Sequence, residues 1–395
     1  MDRHRCFETV TGRGGFETGV YRCRDPETRR GDALRRPGTA AAAAADEGAR
    51  QCLALTKRKA FPGGFGSRRY ARLMIGIVSA LAMGASMSTG HCQTQLTTMV
   101  FQGVQNLPLF AAQQKGFFAK HSLAVDQRIA PNSQELREGL AQGRYQLVHT
   151  AVDNAIAMAE QAKVDIVVVL GGDNGWNDFI VQPEINGYAD LRGKTVVVDA
   201  PDTAFAFQLY QMLKLHGIGL SEITVKPVGA TRFRIQAMTT DKSAAAAMLN
   251  LPFSFQAQQA GLKKLATAVD VIGPYLATAG FMLRSWAREN PDTLVRYIAA
   301  YVEALRWVMQ PSNRNESITM LANGLNISQD MAERSYAVAV DPQNGFARDA
   351  KIDMAGFRNV LKLRAELHGD WGGTPPAPEQ YLDLSYYDRA LAQLK

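Results

Sequence analysis

The side chains able to do covalent chemistry are few in this chain and badly placed for it. His121, His149, His216 and His368 fall at no spacing that would bring two of them to one metal ion. Cys6, Cys23, Cys52 and Cys92 all precede Gln93, so the remainder has no thiol to offer as nucleophile, metal ligand or disulfide partner. There is no Gly-rich phosphate loop and no Gly-x-Ser-x-Gly elbow. The sequence therefore predicts neither an enzyme nor a bound cofactor. What it offers is polar and aromatic side chains at strand-to-helix junctions, which suits noncovalent capture of a small molecule.

Gln102 and Asn106 bound the loop after the first apolar run, where the N-H groups of a following helix would face a ligand. Asn132 and Ser133 open the next helix, with Glu135 at capping-box spacing, so each is equally a cap. Asp153 is a contact or an N-cap. Asp173 and Trp176 flank a glycine-rich break, and the indole either stacks on a ring ligand or plugs the core. Asp202, Thr203 and Phe205 begin the first helix of a second α/β series, and Phe253 follows a later loop of that series. Arg232 is the cation best placed for an anion, a surface ion pair being the ordinary alternative. Asp199 and Asp202 would occupy the positive end of a helix dipole and repel an anion there. With Asp153, Asp173 and the aromatic surfaces, they predict a neutral or cationic ligand with a flat ring. Arg232 and Arg234 argue the other way, since one bidentate guanidinium can hold an anion.

These residues need elements to position them. Strands are predicted at Leu96–Phe101, Leu123–Arg128, Gln146–His149 and Ile166–Leu170, separated by helices up to Lys120, from Asn132 and from Asp153. Ile166–Leu170 is wholly apolar and β-branched, which predicts a buried parallel strand. After a strand at Asp178–Gln182 the alternation restarts at Thr195–Val198 and continues through Ile223–Val228 and Ala245–Leu249. The reading is α/β, with two similar halves, each a doubly wound, mainly parallel sheet. Residues 269–283 suggest a crossover back to the first half. From Asn290 the chain becomes helical, with Leu294, Ile298, Tyr301, Leu305 and Val308 on one face.

The net charge of +7 is concentrated before Gln93. That stretch holds 16 of the 44 Lys and Arg and 8 of the 37 Asp and Glu, leaving 28 against 29 beyond it. A near-neutral body excludes a nucleic-acid groove. Residues 1–66, Arg- and Gly-rich, read as disordered or as a spurious upstream extension. Basic residues up to Arg72, an apolar run from Leu73 to Ala85 and small residues to Gly90 have the order of a signal peptide at 67–92. Its distance from Met1 implies either a later translation start or a segment of another kind, an uncleaved membrane anchor being the plain alternative.

Several stretches together resemble the periplasmic substrate-binding proteins of ABC importers, in the branch that takes aliphatic sulfonates, taurine, nitrate and thiamine-pyrimidine precursors. They are Ala112-Gln113-Gln114-Lys115-Gly116-Phe117-Phe118, Leu140-Ala141-Gln142-Gly143 and Asp190-Leu191-Arg192-Gly193-Lys194-Thr195-Val196, followed by Asn290-Pro291-Asp292 and Tyr381-Leu382-Asp383. The resemblance implies a two-lobe periplasmic-binding-protein fold of type II, a monomer that closes on its ligand, a periplasmic location and an ABC transporter permease as partner. It places lobe 1 at 93–183, lobe 2 at 184–274, and a return to lobe 1 with C-terminal helices at 275–395. The loop Asp199–Thr203 departs from the pattern by lacking the glycines that wrap an oxyanion. A pyrimidine-precursor synthase on the same fold is the enzymatic alternative, but its Cys- and His-rich site is missing here. A ligand sensor for a signalling partner is the third reading.

Overall fold

The computed structural model describes residues 93–395; the signal-like segment and the stretch before it lie outside the described residues. Ten strands form two five-stranded sheets. The first contains β1 (Thr94–Val100), β2 (Leu123–Ile129), β3 (Leu147–Ala151), β4 (Ile166–Gly171) and β10 (Thr278–Leu283), in the order β2-β1-β3-β10-β4. The second contains β5 (Asp178–Val181), β6 (Thr195–Val198), β7 (Thr224–Pro227), β8 (Ala244–Leu249) and β9 (Lys263–Thr267), in the order β7-β6-β8-β5-β9. Each sheet is the centre of one lobe of a type II periplasmic-binding-protein fold.

The helices of the first lobe are α1 (Leu107–Gln114), α2 (Phe117–Lys120), α3 (Ser133–Ala141) and α4 (Val152–Glu160). The second lobe carries α5 (Ala204–Leu215), α6 (Thr231–Thr240), α7 (Phe253–Gln259) and α8 (Ala268–Ile272). After β10 come α9 (Arg284–Glu289), α10 (Pro291–Met309), α11 (Arg314–Leu325), α12 (Gln329–Ala339), α13 (Met354–His368) and α14 (Ser385–Gln393). The helix expected to run unbroken to Lys120 is split at Gly116, whose φ of 74° is costly for any residue with a Cβ. In α10 the face Leu294, Ile298, Tyr301, Leu305 and Val308 is buried against the first sheet's core.

Two strand assignments change. Ile166–Leu170, read as a parallel strand, has β10 as its neighbouring strand and runs antiparallel to it. A strand buried on both faces has the same apolar composition whichever way its neighbour points. Asp178–Val181, placed by the sequence at the end of lobe 1, pairs antiparallel with β8 and β9 in the second sheet. Each sheet thus receives one strand, β10 or β5, entering from the other side of the molecule. The chain passes between the sheets through 172–177 and 268–277, tied by Ala268 N donating to Asn177 O at 2.8 Å.

The sheet edges are protected. β2 exposes Asp126 and Arg128 in an ion pair, β7 ends in Pro227, and β9 carries Lys263 and Lys264. The outer edge of β4 is covered by Leu382 and Asp383, the latter donating N-H to Val168 O at 3.2 Å.

Asn132 caps α3, its Oδ1 accepting from Glu135 N at 2.8 Å. Asn132→Ala should therefore cost about 1 kcal/mol in urea unfolding. Ligand affinity should not change, because Asn132 does not reach the cavity described next.

Candidate functional site

The lobes meet across a cleft. Val104 N donates to Leu251 O at 3.1 Å, and Asn250 Nδ2 donates to Gln102 O at 3.2 Å. Ser133 Oγ donates to Asp199 Oδ2 at 3.2 Å. Arg137 on α3 grips Asp202 with Nη1 and Nη2, at 2.8 and 3.1 Å. Gly103 permits the approach, since a Cβ there would fall 2.2 Å from Gln105 Oε1 and 2.3 Å from Asn250 Nδ2.

Behind these bonds lies a narrow cavity walled by both lobes. Lobe 1 contributes Phe101, Gln105, Thr150 and Thr278, and the crossing segment contributes Asp173 and Trp176. Lobe 2 contributes Asn177, Asp199, Phe205, Thr231, Arg234 and Asn250. A smaller outer space continues from it through Phe101, Ala230 and Thr231 to Gln102, Arg232 and Phe253. The ends of β1 and β3 and the loops after β6 and β8 therefore converge, as the strand-end rule for α/β sheets demands.

Charge is mostly neutralised inside the walls. The Arg234 guanidinium is 1% exposed, lies 3.8 Å from Asp199 and stacks over Phe205 at 4.2 Å. Burial lowers its pKa to about 10, against the opposing pull of Asp199. Asp173 differs: its carboxyl is buried, accepts from Gly175 N at 3.0 Å, and has no ion pair with any described residue. Burial pushes its pKa above the usual carboxylate range, with Thr278 and Gly175 opposing the rise.

The residues singled out from sequence divide into three groups. Asp173, Trp176 and Phe205 line the inner cavity; Gln102, Arg232 and Phe253 line the outer space. The remaining ones are occupied elsewhere. Asn106 turns back to donate to Phe101 O at 2.7 Å, and Thr203 caps α5 while donating to Asp199 at 2.5 Å. Asn132 is a cap, and Ser133 bonds Asp199 across the cleft. Burial alone would raise Asp202, but the Arg137 bonds outweigh it and hold the carboxyl below its usual range, so its charge is not free to repel an anion. Asp153 is buried, accepting from Tyr275 OH at 2.7 Å and facing Arg364 at 3.6 Å. Arg232 is exposed, over Phe233, because two residues along a helix turn the face by about 200° and only Arg234 points inward.

Sequence reasoning passed over Asn177, Asn250, Thr150 and Thr278. Asn250 follows β8 just as Gln102 follows β1, so the same strand-end rule would have found it. Asn177 and Thr278 sit on the antiparallel crossings, where the rule gives no signal.

Beneath the cavity, His149 Nε2 meets Tyr297 OH at 3.0 Å in a fully buried network with Tyr301. Burial lowers the His149 pKa to about 3, so the ring stays neutral in the fold and gains a proton on unfolding below pH 6.5. Its contribution is fully present above that pH and is lost on acidification. The stability advantage over His149→Gln should fall by about 1.4 kcal/mol per pH unit below pH 6.5, levelling off near pH 3, in urea titrations at successive pH values.

Solved structures share this architecture. The ligand-binding component of an ABC-type import system from Staphylococcus aureus is 16% identical, with a TM-score of 0.64 over 75% of this chain and 99% of its own. The periplasmic nitrate-binding protein NrtA from Synechocystis PCC 6803 is 14% identical, with a TM-score of 0.64 over 77% and 89%. The desulfurization enzyme DSZB is 15% identical, with a TM-score of 0.55 over 76% and 99%, so the fold alone does not separate binding from catalysis. The chain matches no curated protein. The family model described as NMT1/THI5 like matches residues 104–314, more than half of the chain. The chain belongs to the NMT1/THI5-like family.

Proposed function

We propose that this chain is an extracytoplasmic solute-binding protein that traps a small molecule between its lobes and delivers it to the permease of an ABC importer. The carrying observation is the cavity itself, walled by both lobes and closed over by bonds between them. A ligand there touches both walls only when the lobes are shut, so its differential affinity drives closure. The wall chemistry favours binding over turnover. Thr231 already donates to Asn250 and accepts from Arg234, at 2.7 and 2.9 Å, and no lysine, histidine or cysteine lines the inner cavity. The ligand-binding component and the nitrate-binding protein on the same fold support the same reading.

In this reading the protein works as a periplasmic monomer, with 67–92 as signal peptide, 184–274 within the second lobe and 275–395 returning to the first. No described helix is long and apolar enough to cross a membrane. A thermal-shift screen against sulfonates, nitrate, amines, pyrimidines and aromatic acids tests the proposal. A true ligand at a hundredfold excess over its Kd should stabilise the fold by about 2.7 kcal/mol. No shift with any solute, together with turnover of one of them, would contradict it.

A further inference from the structure

The hydrogen-bonding capacity left in the inner cavity is one-sided. Its donors are largely engaged: Arg234 donates from Nε to Met248 O at 3.2 Å, from Nη1 to Gly229 O at 2.9 Å and from Nη2 to Thr231 at 2.9 Å. Asn250 Nδ2 is directed to Gln102 O, and Gln105 Nε2 donates to Phe101 O at 3.3 Å. Three of the five Arg234 N–H groups are thus spent on the protein, and Asp199 and the Phe205 ring lie against the guanidinium, so an anion would find only part of it available. Acceptors, by contrast, retain capacity: Asp173 accepts from Gly175 N and from Thr278, but a carboxylate can take more. Asp173 is 4% exposed and lacks a cationic partner among the described residues. Asn177, 7% exposed, commits Nδ2 to the fully buried Gln208 Oε1 at 2.9 Å, which leaves its Oδ1 as the unengaged atom at the cavity wall. The ionisable groups that line the cavity are Asp173, Asp199 and Arg234, and Asp173 is the carboxyl among them with no cation beside it. Trp176 and Phe205 supply flat apolar surface beside these acceptors.

We infer that the cleft takes a planar organic cation, an amidinium or amine carried on an aromatic ring, with Asp173 as its charge partner and Asn177 as its second acceptor. This rests on the cleft being the solute site, and it shifts the ground for a cationic ligand away from Asp202, whose charge Arg137 already meets.

Calorimetry on the purified protein with benzamidine, benzylamine, benzoate and taurine tests the assignment. Benzamidine should bind at least roughly tenfold more tightly than benzoate. Asp173→Asn should weaken benzamidine by a similar factor without weakening benzoate, and Asn177→Asp, which adds a carboxylate, should tighten it. If Asp173→Asn does not fold, the Asn177→Asp result decides. Tighter binding of benzoate or taurine would overturn the cation while leaving the solute-binding reading intact. Benzamidine binding indifferent to both substitutions, or no binding by either cation at millimolar concentration, would also overturn it.

Discussion

Replacing Arg364 with methionine is expected to remove about 3–5 kcal/mol of folding stability. The Arg364 guanidinium is completely buried on α13. It bonds Asp370 at 2.9 Å, lies 3.6 Å from Asp153, donates to Asp202 O at 3.3 Å and stacks 5.0 Å from the Phe207 ring. Asp153 is 1% exposed, and even with Arg364 and Tyr275 present burial pushes its carboxyl above the ordinary range. Without the guanidinium that carboxyl must ionise unpaired or stay protonated, and either state destabilises the fold. Arg364→Met combined with Asp153→Asn should recover part of the loss, because no buried charge is then left alone. Urea unfolding of the two single variants and the double variant measures the coupling. Strictly additive losses below about 1 kcal/mol each would show that the two charges do not depend on one another.

The second large effect concerns affinity. Arg137→Ala removes both charge-assisted bonds to Asp202, which join α3 of lobe 1 to the start of α5 in lobe 2. Bonds of this kind contribute about 1.5–3 kcal/mol, and here the benefit exists only while the lobes are shut. The closed state should lose that amount relative to the open one, raising the apparent Kd about 10- to 150-fold for any cleft ligand. Arg137 lines neither cavity space, so direct ligand contact does not account for the change. Titration of the native protein and Arg137→Ala with the same solute checks this. An unchanged Kd would mean that the Arg137–Asp202 pair stabilises open and closed states equally.

What the sequence conveyed follows from which interactions are local. The loop after β1, the Asn132–Glu135 cap and the buried face of α10 all depend on residues a few positions apart, and spacing alone reveals them. Asp173, Trp176 and Phe205 were visible because a glycine-rich break and a helix start mark the ends of elements. The reverse direction of β5 and β10 left no trace, since a strand buried on both faces is apolar in either direction. Asp202 read as a free charge because its partner is 65 residues away on another lobe. The open acceptor on Asn177 likewise depends on Gln208, 31 residues further on. Local pattern thus located the cleft, while long-range pairing decided which of its charges are available.

A hinged molecule that shuts on a solute becomes more compact as it does so, and small-angle scattering measures that directly. The tightest binder from the thermal screen should reduce the radius of gyration of the native protein and bring the scattering curve to that of the closed structure. Arg137→Ala without ligand should scatter as the more open form, and saturating ligand should restore the closed curve. Superimposable curves for the native protein with and without a ligand that stabilises it by about 2.7 kcal/mol would contradict the account.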